Sequence, residues 1–95
     1  MMNIITTTQL RKKEIINTCD GSRLGYCCDF EFDKCTAQIT GLIIELGAGF
    51  LGLWNTDKAV IPWCKVECIG EDTILVNFNQ HELKILNNKK RKGDL

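Results

Sequence analysis

Six cysteines are the residues of this chain with the greatest capacity for chemistry, and three of them lie within the stretch CDGSRLGYCCDFEFD (19–33). Thiolates bind zinc and carry out redox reactions. Zinc sites usually contain cysteine pairs separated by two to four residues, and the closest such pair is Cys64 and Cys68, with three residues between them. In a strand their Cα atoms would lie about 13 Å apart, too far for one tetrahedral ion, whereas a helical turn would bring both thiols to one face.

The alternation of residues 26–33 instead favours a structural role for the thiols. Successive side chains of a strand point to opposite faces, so apolar even-numbered residues and mostly acidic odd-numbered residues predict a half-buried strand. The predicted inward face consists of Tyr26, Cys28, Phe30 and Phe32, and the predicted outward face of Cys27, Asp29, Glu31 and Asp33. We therefore expect Cys28 to fill space in the core, predict no metal site, and keep a cysteine-ligated zinc protein as an alternative.

The sequence contains no recognisable catalytic constellation. G-x-S-x-G and P-loop motifs are absent, and GAGFLG (47–52), which formally matches G-x-G-x-x-G, is followed by no βαβ unit. The acidic residues do not form an EF-hand, because the sixth and twelfth positions counted from Asp29 are Lys34 and Thr40 instead of Gly and Glu. The sequence therefore predicts a protein that is not an enzyme and has no cofactor.

Length and charge predict one small domain with a basic C-terminal end. The chain has 95 residues and no net charge, so the molecule as a whole has no electrostatic attraction to nucleic acid or membranes. Residues 79–95 carry five basic and two acidic side chains, a net charge of +3, which leaves −3 on residues 1–78. We predict a folded domain over residues 1–78 and a partly disordered extension over 79–95, and we do not expect a nucleic-acid partner.

The thiols are expected to be reduced, because no part of the sequence resembles an export signal. The N-terminal residues MMNIITTTQLRKKEII contain no apolar segment of seven residues, which a secretory signal needs. The longest run of apolar residues and glycines, LGAGFLGLW (46–54), has about half the length of a membrane helix. These features predict a cytoplasmic protein without membrane insertion.

Short apolar segments separated by glycines and turn residues predict an all-β sandwich or barrel. Asp20-Gly21 and Gly70-Glu71-Asp72 predict tight turns, and Pro62 predicts an edge, a bend or the end of a strand. Residues 79–88 could extend a strand or form a short helix. Six strands are expected, at residues 14–18, 26–33, 37–46, 59–63, 65–69 and 73–78.

The order of these features resembles the PRC-barrel domain, and more narrowly the small sporulation proteins of the YlmC/YmxH type from endospore-forming bacteria. The resemblance covers about residues 10–77, although cysteine is far denser here than the family pattern requires. The residues that carry it are Asp20, Gly21, Leu24, Gly25, Asp29, Asp33, Ile61, Pro62, Trp63, Ile69, Gly70, Asp72, Ile74, Leu75 and Val76.

The resemblance implies a compact six-stranded β-barrel without enzymatic activity. Related barrels occur in the H subunit of photosynthetic reaction centres and in a ribosome maturation factor, where the barrel acts as a contact surface. For the sporulation members, the resemblance implies a process and not a molecular mechanism. The expected function is that of a non-catalytic PRC-barrel protein that serves protein–protein interaction or assembly in sporulation.

Apolar residues on both faces of some predicted strands indicate a contact surface. In TILVNF (73–78), for example, Leu75 points away from the face that Ile74, Val76 and Phe78 share. A small barrel buries one face of each strand, so something else must cover the second.

The apolar loop at residues 47–57 supplies the predicted binding residues, Phe50, Leu51, Leu53 and Trp54. We predict that they contact a protein partner or a second copy in a homodimer, the alternative being that the loop folds over its own barrel. A further alternative function is a ribosome- or RNA-associated adaptor that uses the basic residues 89–92, whose phosphate contacts would be salt-dependent.

Overall fold

The computed structural model describes residues 3–45 and 58–86, which form a β-sheet with one short α-helix and two turns of 3-10 helix. None of the helices in these residues is long and apolar enough to cross a membrane. The prediction of an all-β fold is confirmed. In chain order the elements are α1 Thr7–Leu10, β1 Glu14–Asn17, β2 Arg23–Asp33, β3 Gln38–Glu45, β4 Lys58–Pro62, a 3-10 helix Trp63–Lys65, β5 Val66–Ile69, β6 Thr73–Val76, a second 3-10 helix Gln80–Glu82, and β7 Lys84–Leu86.

The strands pair in the order β5-β6-β1-β2-β3-β4-β7. β1 and β6 are parallel, and all other neighbours in this sheet are antiparallel. The sequence predicts six strands closed into a barrel, and the described part of the chain differs from this in two ways. It contains seven strands, and β5 and β7 at the two ends of the sheet do not pair with each other.

The seventh strand comes from the segment for which the sequence left strand and helix open. Residues 80–82 form a 3-10 helix, and residues 84–86 then pair with β4 as an antiparallel edge strand. The rest of the predicted C-terminal extension, residues 87–95, lies outside the described residues. The placing of a domain boundary at residue 78 stays a prediction.

The predicted turn at Asp20-Gly21 joins β1 to β2. Gly21 has φ +77°, in the left-handed region that glycine adopts without strain. Oδ1 of Asp20 accepts hydrogen bonds from the hydroxyl of Ser22 at 2.7 Å and from its backbone N–H at 3.0 Å. These two bonds lower the pKa of Asp20, and they fix the turn that brings β2 back along β1.

The core lies on one face of the sheet. Its members alternate with more exposed residues along β1, β3 and β6, as the two-residue period of a strand requires. Leu10 of α1 and Phe78 and Leu83, which follow β6, join the same cluster. The six largest fully buried side chains are Ile15, Leu42, Ile44, Ile61, Ile74 and Val76.

Candidate interaction surface

The loop that carries the predicted binding residues Phe50, Leu51, Leu53 and Trp54 lies outside the described residues. The structure places the residues that flank it. Glu45 at the end of β3 is directly opposite Lys58 at the start of β4, and Cα atoms of such pairs lie about 5 Å apart. The segment therefore leaves and rejoins the sheet at neighbouring positions, and its role in binding stays a prediction.

An extra residue in β2 determines which of its two cysteines is buried. Cys27 is opposite Ile44 and Asp29 is opposite Ile43, so Cys28 has no partner on β3 and forms a β-bulge. Cys27 is 3% exposed and belongs to the core, whereas Cys28 is exposed. The prediction that Cys28 lies in the core is wrong, because the alternation that predicted it assumed a strand without a bulge.

The aromatic residues of β2 differ in how far they are exposed. Phe30 is opposite Leu42 and packs against the core. Tyr26 is 56% exposed, so the prediction that it faces the core is wrong, because the bulge at Cys28 lies between it and Phe30. Phe32 follows Phe30 by two residues and shares its face, but it is 55% exposed. Tyr26 lies opposite Glu14 of β1, while Phe32 lies near the turn between β2 and β3. The strand thus presents two aromatic rings to solvent.

A row of residues crosses the sheet on the face opposite the core. Leu75 and Ile16 each lie between two buried neighbours on their strands, so their side chains point outward. They are directly opposite each other on β6 and β1. Cys68 of β5 is opposite Leu75, and Arg23 of β2 is opposite Ile16. We call the four residues Cys68, Leu75, Ile16 and Arg23 the outer row.

Hydrogen-bonded polar residues lie on both sides of Leu75 and Ile16, the apolar centre of the outer row. On one side Arg23 donates two hydrogen bonds to the carboxylate of Glu14, from Nη2 at 2.8 Å and from Nε at 3.0 Å, and this contact lowers the pKa of Glu14. On the other side the carboxylate of Glu67 accepts hydrogen bonds from the amide of Asn77 at 3.1 Å and the hydroxyl of Thr18 at 3.3 Å. An apolar centre with a polar border is the usual composition of a protein–protein contact.

Asn17 is a buried polar residue that joins the β1–β2 turn to the segment after β6. It is 3% exposed. Its Nδ2 donates to the carbonyl of Phe78 at 3.1 Å, and its Oδ1 accepts from the backbone N–H groups of Cys19 at 3.2 Å and Phe78 at 3.3 Å. Because both ends of the amide are hydrogen-bonded, its burial is compensated and the two segments are held in a fixed relation.

An ion pair links the two turns of 3-10 helix. Nζ of Lys65 lies 3.0 Å from Oε2 of Glu82, whose Oε1 also accepts a hydrogen bond from the backbone N–H of Asn79 at 2.9 Å. The Asn79 hydrogen bond and then the contact with Lys65 lower the pKa of Glu82. Glu82 in turn raises the pKa of Lys65. The pair connects the segment before β5 to the segment before β7.

The described residues include all six cysteines and His81, and they do not gather into a metal site. In this part of the chain no three His, Cys, Asp or Glu side chains lie as one ion would need, and all six thiols are free. Cys64 lies in a 3-10 helix and Cys68 in β5, so the pair does not share a helical turn. Burial raises the pKa of Cys27 and of Cys28, which disfavours the reactive thiolate at both.

The outer row was predictable only in part. The sequence predicts that Leu75 opposes Ile74 and Val76, and the structure confirms it. Ile16 was missed as its neighbour, because the pairing of β1 with β6 joins residues far apart in the chain. Cys68 was missed because the register of the β5–β6 hairpin shifts between Val66 and Cys68. No local pattern reports such a pairing.

Comparisons with known proteins agree with this β structure. A family model for the PRC-barrel domain matches residues 2–83. A protein described as "Probable sporulation protein YlmC", from Bacillus subtilis (strain 168), is 30% identical over 78 residues, which are 81% of this chain and 96% of that protein. The resemblance carried by the Asp-Gly turn, the Ile-Pro-Trp segment and the Gly-Glu-Asp-x-Ile-Leu-Val segment is confirmed.

Proposed function

Because the chain belongs to the PRC-barrel family, we propose that it is a non-catalytic module for protein–protein interaction or assembly in sporulation. Its partner is another protein or a second copy of the chain. It works in the cytoplasm with reduced thiols, and it needs no cofactor or metal ion. The link to sporulation rests on its similarity to a probable sporulation protein.

The observation that carries this proposal is the amount of apolar side chain that the sheet leaves exposed to solvent outside its core. Tyr26 and Phe32 are each more than half exposed, and Leu75 and Ile16 are partly exposed on the outer face. Aromatic residues are enriched in protein–protein interfaces. Exposed apolar groups of this kind suit a contact surface, which supports an interaction role for the molecule.

The loop residues Phe50, Leu51, Leu53 and Trp54 are part of the proposed surface. Their segment starts after Glu45 and ends before Lys58, at one end of the β3–β4 pair. Four large apolar side chains in one short loop would provide the concentrated contact that holds a partner.

The test is quantitative recovery of proteins bound to the tagged chain in extracts of sporulating Bacillus cells. A variant replaces Phe50, Leu51, Leu53 and Trp54 with serine. We expect the unchanged chain to retain one protein in near-stoichiometric amount, and the variant to lose it. The control is Ile4→Ser, which removes an apolar side chain that is 74% exposed but lies before α1 and outside the sheet.

Two results would contradict the proposal. Equal recovery of the same protein by both chains would remove the loop from the surface. An unchanged chain that retains no protein and also stays monomeric would remove the interaction role itself. The extract of vegetative cells serves as the second control, since the proposal ties the partner to sporulation.

The four consecutive basic residues 89–92 favour one other candidate, a ribosome- or RNA-associated adaptor. Phosphate contacts from these side chains would make RNA binding fall steeply with salt concentration. The test compares RNA retention by the full chain and by a chain that ends at residue 86. Equal retention by the two chains would exclude the basic segment as the RNA contact.

A further inference from the structure

We propose that residues 79–86 form a strap that opens as one unit while the rest of the described sheet stays folded, and that opening frees the edge of β4 for an extended segment of a partner protein. The segment that fits carries an acidic, an apolar and a basic residue in succession, as Glu82, Leu83 and Lys84 do in the strap. This inference rests on the proposed function, because it names the chemistry of a partner for the interaction module.

The strap begins immediately after a firmly held residue. Phe78 is buried, its carbonyl accepts a hydrogen bond from Nδ2 of Asn17 at 3.1 Å, and its backbone N–H donates to Oδ1 of Asn17 at 3.3 Å. Residues 79–82 are all exposed, and Leu83 is the one side chain of the strap that is buried. The fixation by Asn17 therefore ends where the exposed segment starts, and hinges lie at the ends of elements of this kind.

Few contacts attach the strap to the sheet. β7 pairs three residues with β4 and, within the described part of the chain, has no strand on its other side. Leu83 belongs to the core cluster, whereas Ile85 is exposed. A short edge strand with one buried side chain has little apolar burial to hold it, so its local opening requires less free energy than unfolding of the sheet.

Hydrogen bonds within the strap keep its first turn together. The carboxylate of Glu82 accepts from the backbone N–H of Asn79 at 2.9 Å. The backbone N–H of Glu82 donates to the carbonyl of Asn79 at 2.9 Å, and that of Leu83 donates to the carbonyl of Gln80 at 3.2 Å. Since none of these bonds involves the sheet, opening does not break them, and the strap moves as one unit.

Two ion pairs hold the strap, one on each side of Leu83. Nζ of Lys65 lies 3.0 Å from Oε2 of Glu82, and Nζ of Lys84 lies 3.7 Å from Oε2 of Glu31. All four side chains are exposed by about one-third or more, so solvent weakens both pairs. When the strap opens, Lys65 and Glu31 lose these partners, which leaves a cation and a carboxylate beside the vacated site.

Opening uncovers a strand edge and an apolar pocket. The edge consists of the backbone groups of residues 58–60, which pair with β7 in the closed structure. The pocket is the space in the core that Leu83 fills. Ala59 and Val60 of this edge are both buried, so opening exposes apolar groups beside unpaired backbone groups. Extended segments bind such edges through main-chain hydrogen bonds, and pockets for their side chains provide specificity.

The two charges and the pocket define the sequence of the partner segment. An acidic residue meets Lys65, an apolar residue enters the pocket, and a basic residue meets Glu31. Glu31 also accepts a hydrogen bond from the hydroxyl of Thr40 at 2.7 Å, but this neutral donor does not compensate its charge. A segment with the two charges reversed would place like charges together on both sides of the pocket.

The first experiment measures amide hydrogen exchange of the full chain by NMR. We expect the slowest amide of residues 84–86 to exchange at least about tenfold faster than the slowest amide of β1, because the strap opens without unfolding of the sheet. Ile15→Val should speed exchange in β1 several-fold and leave residues 84–86 unchanged, because it destabilises the closed and the open state equally. Leu83→Ala should speed exchange in both segments, because it destabilises the closed state alone.

The second experiment adds a peptide with the sequence of residues 79–86 to the full chain carrying Leu83→Asp, which disfavours the closed strap by placing a charge in the core. We expect saturable NMR shifts at residues 58–60. The affinity should be at least about tenfold higher than for the unchanged chain, whose tethered strap competes at an effective concentration in the millimolar range. The control peptide carries Glu82→Lys and Lys84→Glu together, so its composition is the same, and it should bind at least about fivefold more weakly.

The inference is overturned if residues 84–86 exchange as slowly as β1, or if Ile15→Val speeds exchange in both segments alike. It is also overturned if the two peptides bind the Leu83→Asp chain equally, or if neither binds at about 1 mM, within the range of the tethered strap's effective concentration. Loss of the β-sheet in Leu83→Asp, measured by circular dichroism, would contradict separate opening, because a separate strap detaches without unfolding the sheet.

Failure of this inference and failure of the proposed function give different results. A chain that retains a protein from sporulating cells through its 46–57 loop, but binds neither peptide, would leave the proposed function standing and remove the strap site. A chain that binds the first peptide selectively, but retains no protein from the extract, would leave the strap site standing and remove the role in sporulation.

Discussion

At the scale of single residues, two positions that look alike in the sequence have opposite roles in the fold. Cys27 and Cys28 are chemically identical neighbours, yet one lies in the core and the other is exposed at a bulge. Asn17 is polar but is buried, because three hydrogen bonds to backbone groups replace its contacts with water. Each role depends on a partner from a different part of the chain.

Asn17→Ala should lower the free energy of unfolding by about 2–3 kcal/mol. The substitution removes three hydrogen bonds and leaves the backbone N–H and C=O of Phe78 without these partners in a buried site. Urea denaturation measures the change. The control is Asn77→Ala at an exposed position, which should change the stability by about 0.5 kcal/mol or less. Equal effects of the two substitutions would contradict the role of Asn17.

Alkylation of the native protein should distinguish the two neighbouring cysteines. Iodoacetamide is expected to modify Cys28 and the other exposed thiols, and to leave Cys27 unmodified until the chain unfolds, because Cys27 is 3% exposed. Burial also raises the pKa of both thiols of the pair, so Cys28 should react more slowly than its exposure alone suggests. Mass spectrometry of peptides at successive times gives the order in which the cysteines are alkylated. Early modification of Cys27 would refute the bulge at Cys28.

At the scale of elements, β3 and β4 can pack closely because β3 has a glycine at position 41. A Cβ at this position would overlap Cγ1 of Val60 and would lie 3.0 Å from the carbonyl oxygen of Ile61. Val60 is 3% exposed, so its side chain has little room to move. The glycine therefore permits the pairing of β3 with β4, the two strands on either side of residues 46–57.

Gly41→Ala should destabilise the protein by about 1–3 kcal/mol, since the added methyl group overpacks the contact with Val60. The matched control is Gly70→Ala. A Cβ at position 70 would make only ordinary contacts, the nearest at 3.5 Å with the carbonyl oxygen of Thr73, and the change should stay within about 1 kcal/mol of zero. Thermal or urea denaturation checks both, and a tolerated Gly41→Ala would contradict the close approach of β4.

The link between the two 3-10 helices predicts a specific pH dependence. Lys65→Met should raise the pKa of Glu82, but not fully to its ordinary value of 4.5, because the backbone N–H of Asn79 still lowers it. Because the pKa of Glu82 is lowered in the folded chain, its ionised carboxylate stabilises the fold above pH 4.5, and this stability is lost as the pH falls through the lowered pKa. The difference in the free energy of unfolding between the unchanged chain and Lys65→Met should therefore vanish in acid. NMR titration of Glu82 measures the pKa directly.

The control for this titration is Lys12→Met, at an exposed lysine remote from Glu82 in the chain, which should leave the pKa of Glu82 unchanged. If Lys65→Met also leaves the pKa of Glu82 unchanged, the ion pair does not lower that pKa in solution. If the pKa of Glu82 returns fully to its ordinary value in Lys65→Met, the hydrogen bond from Asn79 does not lower it.

At the scale of the whole molecule, the described part of the chain contains no disulfide. All six thiols are free and lie on several different elements, and the described sheet holds its core together by strand pairing and apolar burial alone. Only Cys27 is buried, so space-filling in the core applies to one of the six thiols, and the expectation that the thiols stay reduced remains a prediction.

The midpoint of thermal unfolding should therefore be the same, within about 1 °C, with and without a reducing agent. Removal of a native disulfide from a small domain costs about 2–5 kcal/mol and would lower the midpoint by many degrees. Scanning calorimetry of protein purified under air and under reductant makes the comparison. A large drop under reductant would show that thiols had paired, and peptide mapping would identify them.

Much of the fold could be predicted from local patterns. The Asp20-Gly21 turn, the outward position of Leu75 and most strand positions follow from residue periodicity and turn chemistry. The family was predicted from segments of two to seven residues, in their order along the chain. The candidate surface was only partly predictable: its loop residues lie outside the described part of the chain, and the outer row needed the strand order.

The sequence by itself determined the fold class, the family and which segments adopt the extended backbone of a strand, because backbone conformation and face alternation are local properties of neighbouring residues. Only the tertiary structure decided that Cys27 and not Cys28 is buried, that residues 84–86 become a seventh strand, and that Ile16 lies beside Leu75. Each of these depends on register, bulges and pairing between distant strands. The free energies that decide register, bulges and distant pairing come from contacts between segments that are far apart in the chain, so no short stretch of sequence contains both partners.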